Sequence, residues 1–471
     1  MRALRRICCA VLVFTILFSL WGCSTTPPAP TEPPAPVWTG YEGNLDSYVY
    51  YYEDGPSRAL EEDVLYVAEL YLGEIYSNGH PLLTNMPFTT FFGTDDSAFE
   101  SKNYYDKEKR QQFIRAISAL IPKIETLEDH QVILELQKVL AGLGDLHSDI
   151  YLSVSYWYPI VLMPFYSEDM VEYYATALPS GFANTGALFA PLVAINGIPI
   201  ETITDMLRLY ISYENEYAAA EALSLYLTSN EHLHAAGIVD YKDQITFFTF
   251  LRADGTTVDL CMSAMDDDQL EEVDLVGASD AGFLYNKDDS RNYWWEYQAD
   301  QQLLYVRFNH MVEASHQDYN TFIKEIASQM DTHPEIKKLV IDLRDNPGGY
   351  YVHTLAPKLV TLLNRMEHGK GYVLLNGRSY SCAIMVSSYL KQLAKNTLLV
   401  GSPGGQPANF FASSHSYTTP NREYSFSMSD RWWVNDAQDT DPALMPDVVI
   451  YQNLQDFING VDTVMAYIYA Q

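Results

Sequence analysis

The stretch "KLVIDLRDNPGG", residues 338–349, decides the fold. Leu339, Val340, Ile341 and Leu343 crowd both faces of any extended segment with apolar groups. A strand with one wet face alternates polar and apolar residues, whereas a continuous apolar run belongs in a sheet covered on both sides. "LLYVRF" (303–308), "YVLLN" (372–376) and "TLLV" (397–400) read the same way. Helical patterns lie between them at 319–330, at 353–366 despite Pro357, and at 381–395. Strands alternating with helices require crossovers and therefore a mainly parallel sheet, an α/β architecture.

In such sheets, sites form beyond the carboxyl ends of the strands. Two loops leave neighbouring strands at that edge, "RDNPGG" (344–349) and "GRSYS" (377–381). Bare glycine backbone in the first can approach a ligand closely. The second runs straight into a helix whose buried face is Cys382, Met385, Val386, Tyr389, Leu390 and Leu393. Ser381 therefore opens that helix, where unpaired N–H groups and the positive end of the dipole favour an oxyanion. The plainer reading is that Ser381 is a helix cap and the glycines an ordinary turn. Ser379, two residues earlier, remains in the loop.

Upstream, residues 58–147 read as helical. In "TLEDHQVILELQKVLAGLGDLH", Val132, Leu136, Val139, Leu140 and Leu143 share one face, Thr126 with Asp129 approximates a capping box, and Gly142 and Gly144 end the helix. Asp145 and His147 follow in the exit turn. Residues 150–260 turn to strands, with "ADGT" as a hairpin turn and a helix over 201–226. Residues 264–291 are acidic, weakly patterned, and read as a loop or insertion.

The chain is 471 residues long and 48% hydrophobic, with 13% aromatics, enough for two or three domains with cores. Its net charge of −32 would repel phosphates, so nucleic acid is excluded as a partner. The start, "MRALRRICCAVLVFTILFSLWGC", has a basic n-region and an apolar h-region, an export signal over 1–22. Leu20-Trp21-Gly22-Cys23 resembles the lipobox of bacterial lipoproteins, in which Cys23 becomes the lipidated N-terminus; a short membrane anchor is the alternative. Either places the body outside the cytoplasm, and the lipidated form puts it on the extracytoplasmic face of a bacterial cell membrane. The Pro-rich stretch over 23–40 reads as an extended tether. Cys261 and Cys382 alone remain in the body, which is neither a disulfide framework nor a zinc site.

Taken together, "KLVIDLRDNPGG", "YVLLNGRSYSCAIMVSSYL", "LLVGSPGGQPANFF" and "PDVVI" (446–450) resemble the C-terminal processing (tail-specific) serine peptidase family. "LAGLGDLHSDIYL" is similar to an aspartate-x-histidine segment of some members, and "LFAPLVAINGIPIETI" to their PDZ-like segment. The likeness spans roughly 58–471. It implies a crotonase-like α/β catalytic core over 291–471, a helical N-terminal domain over 41–150 and a PDZ-like β-rich domain over 151–290. It further implies Ser381 as nucleophile, and an oxyanion hole from Gly348 or Gly349 with the N–H of Cys382.

Two departures matter. Gln406 stands where serine–lysine members carry their lysine, and Ile384 replaces a glutamate common three residues after the nucleophile. Lys391 and Lys395 lie on the helix, directed away from its start. The base must then be another group, and the histidine-containing, tricorn-core-like members of the family point to His147. His353 is the runner-up, and His232 and His234 read as structural. Of Asp436, Asp439 and Asp441, Asp439 is expected to orient the histidine. The resulting expectation is a membrane-anchored serine peptidase acting on peptides or proteins without metal or cofactor. Its base would be protonated below about pH 6.5, the ordinary histidine value. The rivals are a catalytically inactive peptide-binding surface lipoprotein, and a solute-capturing lipoprotein, which would need two similar α/β lobes.

Overall fold

The computed structural model describes residues 50–73, 79–84, 104–167, 170–242, 245–350 and 352–471. The expected signal over 1–22, Cys23 and the expected tether over 23–40 lie outside these residues. Among the described residues three helices come first: α1 (Gly55–Leu72), α2 (Lys107–Leu120) and α3 (Asp129–Ala141). The capping box of α3 is Glu128 with Gln131, not Thr126 with Asp129. Thr126 instead ends a 3-10 turn, its hydroxyl donating to Lys123 O.

A short strand β1 (Asp149–Ile150) is followed by β2 (Val161–Ser167), β3 (Met170–Pro179), β4 (Leu192–Ile195) and β5 (Ile198–Pro199). The helix expected over 201–226 is broken. Helix α4 (Ile200–Leu207) stops, a loop crosses 211–215, and α5 (Glu216–Tyr226) starts afresh with Asn215 accepting the N–H groups of Tyr217 and Ala218. Helix α6 (Asn230–Ala235) and the hairpin β6 (Thr246–Leu251) with β7 (Thr257–Met262) complete a four-stranded sheet ordered β5-β4-β6-β7 and its cover. The acidic stretch is not all loop: after α7 (Asp267–Glu271), β8 (Leu275–Gly277) adds to a three-stranded sheet, β2-β3-β8.

The remaining chain builds the main sheet. Its strands are β9 (Tyr293–Gln298), β10 (Leu303–Phe308), β11 (Lys338–Asp342), β12 (Lys370–Leu375), β13 (Thr397–Gly401) and, beyond a long hairpin, β16 (Val448–Val449). The order is β16-β13-β12-β11-β10-β9, with every neighbour parallel except the antiparallel edge strand β9. Helices α8 (Tyr319–Thr332), α9 (Val352–Asn364) and α10 (Cys382–Leu393) provide the crossovers.

The strand side chains divide by parity. Leu304, Val306, Leu339, Ile341, Val373 and Leu375 pack under these three helices. Leu303, Tyr305, Val340, Tyr372, Leu374 and Val400 pack on the other face against Val464, Met465 and Ile468. Those three belong to the last helix, α12 (Thr463–Ala470), which follows the short α11 (Leu454–Ile458). Both faces are therefore buried, which is why the strands read as unbroken apolar runs.

The hairpin is β14 (Asn409–Thr418) with β15 (Ser425–Val434), two ten-residue strands that the sequence reading does not anticipate. It leaves the main sheet and reaches the helical region. Tyr424, Phe426 and Met428 enter the core of α1–α3, and β15 pairs with β1 through Asp149↔Ser427 and Ile150↔Phe426.

One buried ion cluster ties the end of β11 to α12. Arg344 donates to Asp342 at 2.6 Å and to Asp462 at 2.9 Å, and Tyr305 also donates to Asp342. Asp462 caps α12 through the N–H of Met465. Breaking such a pair leaves a buried charge uncompensated. Arg344→Met should therefore cost about 3 kcal/mol, read as a lower urea midpoint; an unchanged midpoint would show that Arg307, 3.6 Å from Asp342, suffices alone.

Candidate active site

The loops after β11 and β12 meet at one buried asparagine. Asn346 donates from Nδ2 to Phe308 O, accepts the N–H of Gly348 on Oδ1, and accepts the N–H of Tyr380 on its carbonyl. Ser379 is also fully buried, donating to Leu343 O at 2.8 Å and accepting the N–H of Asn376. It staples the loop. Arg378 crosses to Asp345, and although burial would raise that carboxyl, the guanidinium brings it down to about 2.

The glycines allow the loops to touch. A Cβ on Gly348 would fall 2.6 Å from Ser381 Cβ and 2.9 Å from Cys382 N, and its φ of +96° disfavours any side chain as well. Gly349 has φ +142°, and its Cβ would strike Met311 O at 2.3 Å.

Ser381 sits at the N-cap position of α10 with φ 53° and ψ −121°, a region that L-residues rarely enter. Its side chain makes no capping hydrogen bond. Instead Oγ lies 3.0 Å from His147 Nε2, across 234 residues of sequence. The strained turn aims the hydroxyl out of the helix axis, as a sharp strand-to-helix elbow does for a nucleophile.

The hairpin positions His147. Ser427 Oγ on β15 donates to His147 O, Ser148 Oγ accepts the N–H of Ser429, and the imidazole stacks between Tyr380 at 4.5 Å and Phe410 of β14 at 5.9 Å. From the histidine's own segment, Asp145 Oδ1 accepts the His147 main-chain N–H at 2.9 Å and lies 4.0 Å from Nδ1. Its Oδ2 is engaged by His80 at 2.9 Å and by Ser148 Oγ. Burial opposes the charge on Asp145, but the His80 contact and the His147 ring overcome it and lower its pKa.

For His147, burial wins over the attraction of Asp145 and pushes the imidazole down to about 4. That shift corresponds to about 3 kcal/mol in favour of the neutral ring. Neutral imidazole is the form that can accept a proton at Nε2.

Asp439 is not brought to His147. Its carboxylate accepts the N–H of Asp441, and its carbonyl accepts Asn409 Nδ2 together with that of Asp436. These acids shape the turn after β15, while Asp145 takes the place beside the imidazole. Gly348 is changed in detail: its N–H is occupied by Asn346. Met311 bonds on either side of Gly349, to Gly348 O and to the N–H of Tyr350, so the Gly349 N–H faces away from it. Neither that N–H nor the N–H of Cys382 has an acceptor among the described residues. The Cys382 thiol is itself buried and pushed up in pKa, which keeps it protonated.

His353 lies in α9 near Trp433, and His232 is buried on Tyr226 with Nδ1 on Ser229 Oγ. His234 bonds Val239 O. Lys391 Nζ reaches Met445 O, away from the start of its helix.

Sequence reading also misses Glu214, in the loop that breaks the expected helix. Gln406 Nε2 donates to Glu214 Oε1 at 2.7 Å, and burial with the charge of Asp145 pushes this carboxyl well above its usual range. Asp145, His147 and Glu214 hold donor atoms within 4.8 Å of one another, enough for a metal ion. A metal on Nδ1 would force the ring proton onto Nε2, which could then only donate to Ser381. Proton abstraction at Ser381 therefore requires this cluster to be metal-free.

Residues 302–450 match the family model described as Peptidase family S41. Among solved structures, the chain is similar to mature CPAF, at 14% identity over 88% of this chain and 96% of that one, with a TM-score of 0.55. A photosystem II D1 C-terminal processing protease matches at 13% identity over 76% and 99% of the two chains, with a TM-score of 0.32. The tricorn protease matches at 12% identity over 78% and 35%, with a TM-score of 0.35. The fold shared with CPAF thus reaches well beyond 302–450. A search of curated protein sequences finds no match.

The contact between glycine loop and serine gives a sharp test. Gly348→Ala should fold with a lowered melting temperature and lose fluorophosphonate labelling of Ser381, because the new methyl collides with Ser381 Cβ and with the backbone around it. Labelling at the wild-type rate would mean the loops do not meet as described.

Proposed function

We propose that this chain, a serine-type peptidase with a family S41 domain at residues 302–450, hydrolyses peptide bonds with Ser381 as nucleophile and His147 as general base. The observation that carries this reading is the 3.0 Å contact between His147 Nε2 and Ser381 Oγ, on a serine that leaves its capping role unused.

With the ring proton on Nδ1, Nε2 accepts the Ser381 proton as Oγ attacks the substrate carbonyl. The N–H groups of Gly349 and Cys382 receive the oxyanion. The imidazolium then protonates the leaving amine, and water reverses the cycle on the acyl-enzyme. Asp145 takes only the electrostatic part of the role expected of Asp439: it accepts the His147 main-chain N–H and, at 4.0 Å from Nδ1, makes no hydrogen bond to the ring. At 4.0 Å, an effective dielectric of ~20 gives about 4 kcal/mol of attraction for the transient imidazolium.

In this reading the six-stranded sheet with α8–α10 is the crotonase-like core. The sheets over 151–290 are the PDZ-like part, which holds an extended peptide by adding it to a sheet edge. Cys23 anchors the chain by lipid on the extracytoplasmic face. Among the described residues no helix is long and apolar enough to cross a membrane.

Burial changes the expected pH dependence. The base works only when neutral, so activity is lost as pH falls through its folded pKa. For a pKa of about 4, kcat/KM should hold to near pH 5 and fall through about pH 4, not 6.5. A limb centred at 6.5 would mean the ring is solvated in the working enzyme. Since a low limb no longer separates histidine from a carboxylate base, mutation must do so. His147→Ala and Ser381→Ala should each cut kcat by at least ~10⁴-fold with unchanged melting temperature. Turnover retained in His147→Ala would remove the histidine from the mechanism, and folded wild-type protein that resists fluorophosphonate would favour the peptide-binding alternative.

A further inference from the structure

We propose that Gln406 is a positioning residue which clamps the backbone of the nucleophile, and that Glu214 sets the orientation of its amide. This rests on the reading of Ser381 as nucleophile. The strained turn at Ser381 persists only if its surroundings over-determine it. Its own N–H lies outside the hydrogen-bond ladder of α10 and needs an acceptor from elsewhere. Gln406 Oε1 accepts it at 2.6 Å, and Gln406 is wholly buried.

An amide can present either end. Ser381 N–H is a donor only, so it must meet oxygen, and Nε2 must then face an acceptor. Glu214 Oε1 is that acceptor, at 2.7 Å. Without it, a flip of the amide would set donor against donor at Ser381. The surrounding loop is held just as closely. Gly405 N–H donates to Ser379 O, Leu444 N–H to Gln406 O, and Asn215 Nδ2 to Gly404 O. A Cβ on Gly405 would lie 2.4 Å from Gly377 O. Residues 214 and 215, from the loop between α4 and α5, thus brace the nucleophile turn from outside the α/β core. Gln406, at the place of the lysine, has become a backbone clamp and not a vacant base position.

The test is a double-mutant cycle on the full chain, reading kcat, KM and the rate constant for fluorophosphonate labelling. Gln406→Met should lower kcat and the labelling rate about 10- to 100-fold, the effect of orphaning one buried N–H, with KM within about threefold. Glu214→Leu should do the same through the amide flip, and Glu214→Gln, which keeps an acceptor oxygen, should recover at least about tenfold over Glu214→Leu. Because Glu214 acts through Gln406, the double variant Gln406→Met with Glu214→Leu should be no slower than Gln406→Met alone. Losses that multiply, or a Gln406→Met enzyme as fast as wild type, overturn the inference. If Gln406→Met does not fold, equal rates for Glu214→Leu and Glu214→Gln overturn it instead. Labelling of wild type and its loss in His147→Ala test the peptidase reading separately, so the two failures are distinguishable.

Discussion

The rest of the site depends on one backbone constraint, the left-handed turn at Ser381. A φ of 53° with ψ of −121° costs roughly 1–3 kcal/mol in an isolated serine. The fold holds it from several sides. Tyr380 N–H is fixed on Asn346, Ser381 N–H on Gln406, and Gly348 lies so close that a side chain there would strike the serine Cβ. The reward is chemical. A serine relaxed into an ordinary cap would spend its hydroxyl on the helix N–H groups, whereas here the hydroxyl meets His147 and, on the proposed mechanism, the first helical N–H is left for an oxyanion.

On the proposed mechanism, His147 poses the complementary problem of keeping an imidazole neutral beside a carboxylate. Asp145 alone would hold the ring charged. Enclosure between Tyr380 and Phe410 outweighs it, and the ring stays neutral to about pH 4. Asp145 can be so close because its own charge is spent on His80, Ser148 and a main-chain N–H. The result is an imidazole that is neutral at rest and stabilised at the moment it becomes charged.

The parallel sheet was legible because burial on both faces leaves a direct trace, an unbroken apolar run in each strand. The helix start at Ser381 and the glycine loop were legible because glycine and a helix start constrain local backbone, whereas the role given to the serine rested on family likeness. The hairpin β14–β15 was not, since its strands carry "HSYT" and "SMSD", polar where the tip leaves the main sheet. Nor was the break in the expected helix over 201–226. Residues 211–215 keep an apolar start, and the interruption is enforced by Asn215 capping α5. Glu214 was hidden with it. Asp145 carried a signal, two residues before His147 in one turn, but a carboxylate whose partners come from His80 and Ser148 resembles any surface acid in sequence. Asp439 was favoured by family likeness in a loop whose acids turn out to satisfy local N–H groups.

The hairpin also answers how a histidine from the helical region can be held within hydrogen-bond distance of a serine in the α/β core. No linker could do this, because a flexible connection leaves ångströms of play where proton transfer tolerates tenths. The core instead extends its own chain: β14 and β15 leave the sheet edge, bury Phe426 among α1–α3, and pair with β1 immediately after His147. The segment of His147 is thereby attached by backbone hydrogen bonds to a hairpin that continues the chain of the α/β core, and a three-stranded sheet, β1-β15-β14, spans the two regions. Loss of that pairing would free His147 from the turn at Ser381. On the proposed mechanism, activity is thus conditional on the docking of the helical region, a property that follows from the topology and not from any single side chain.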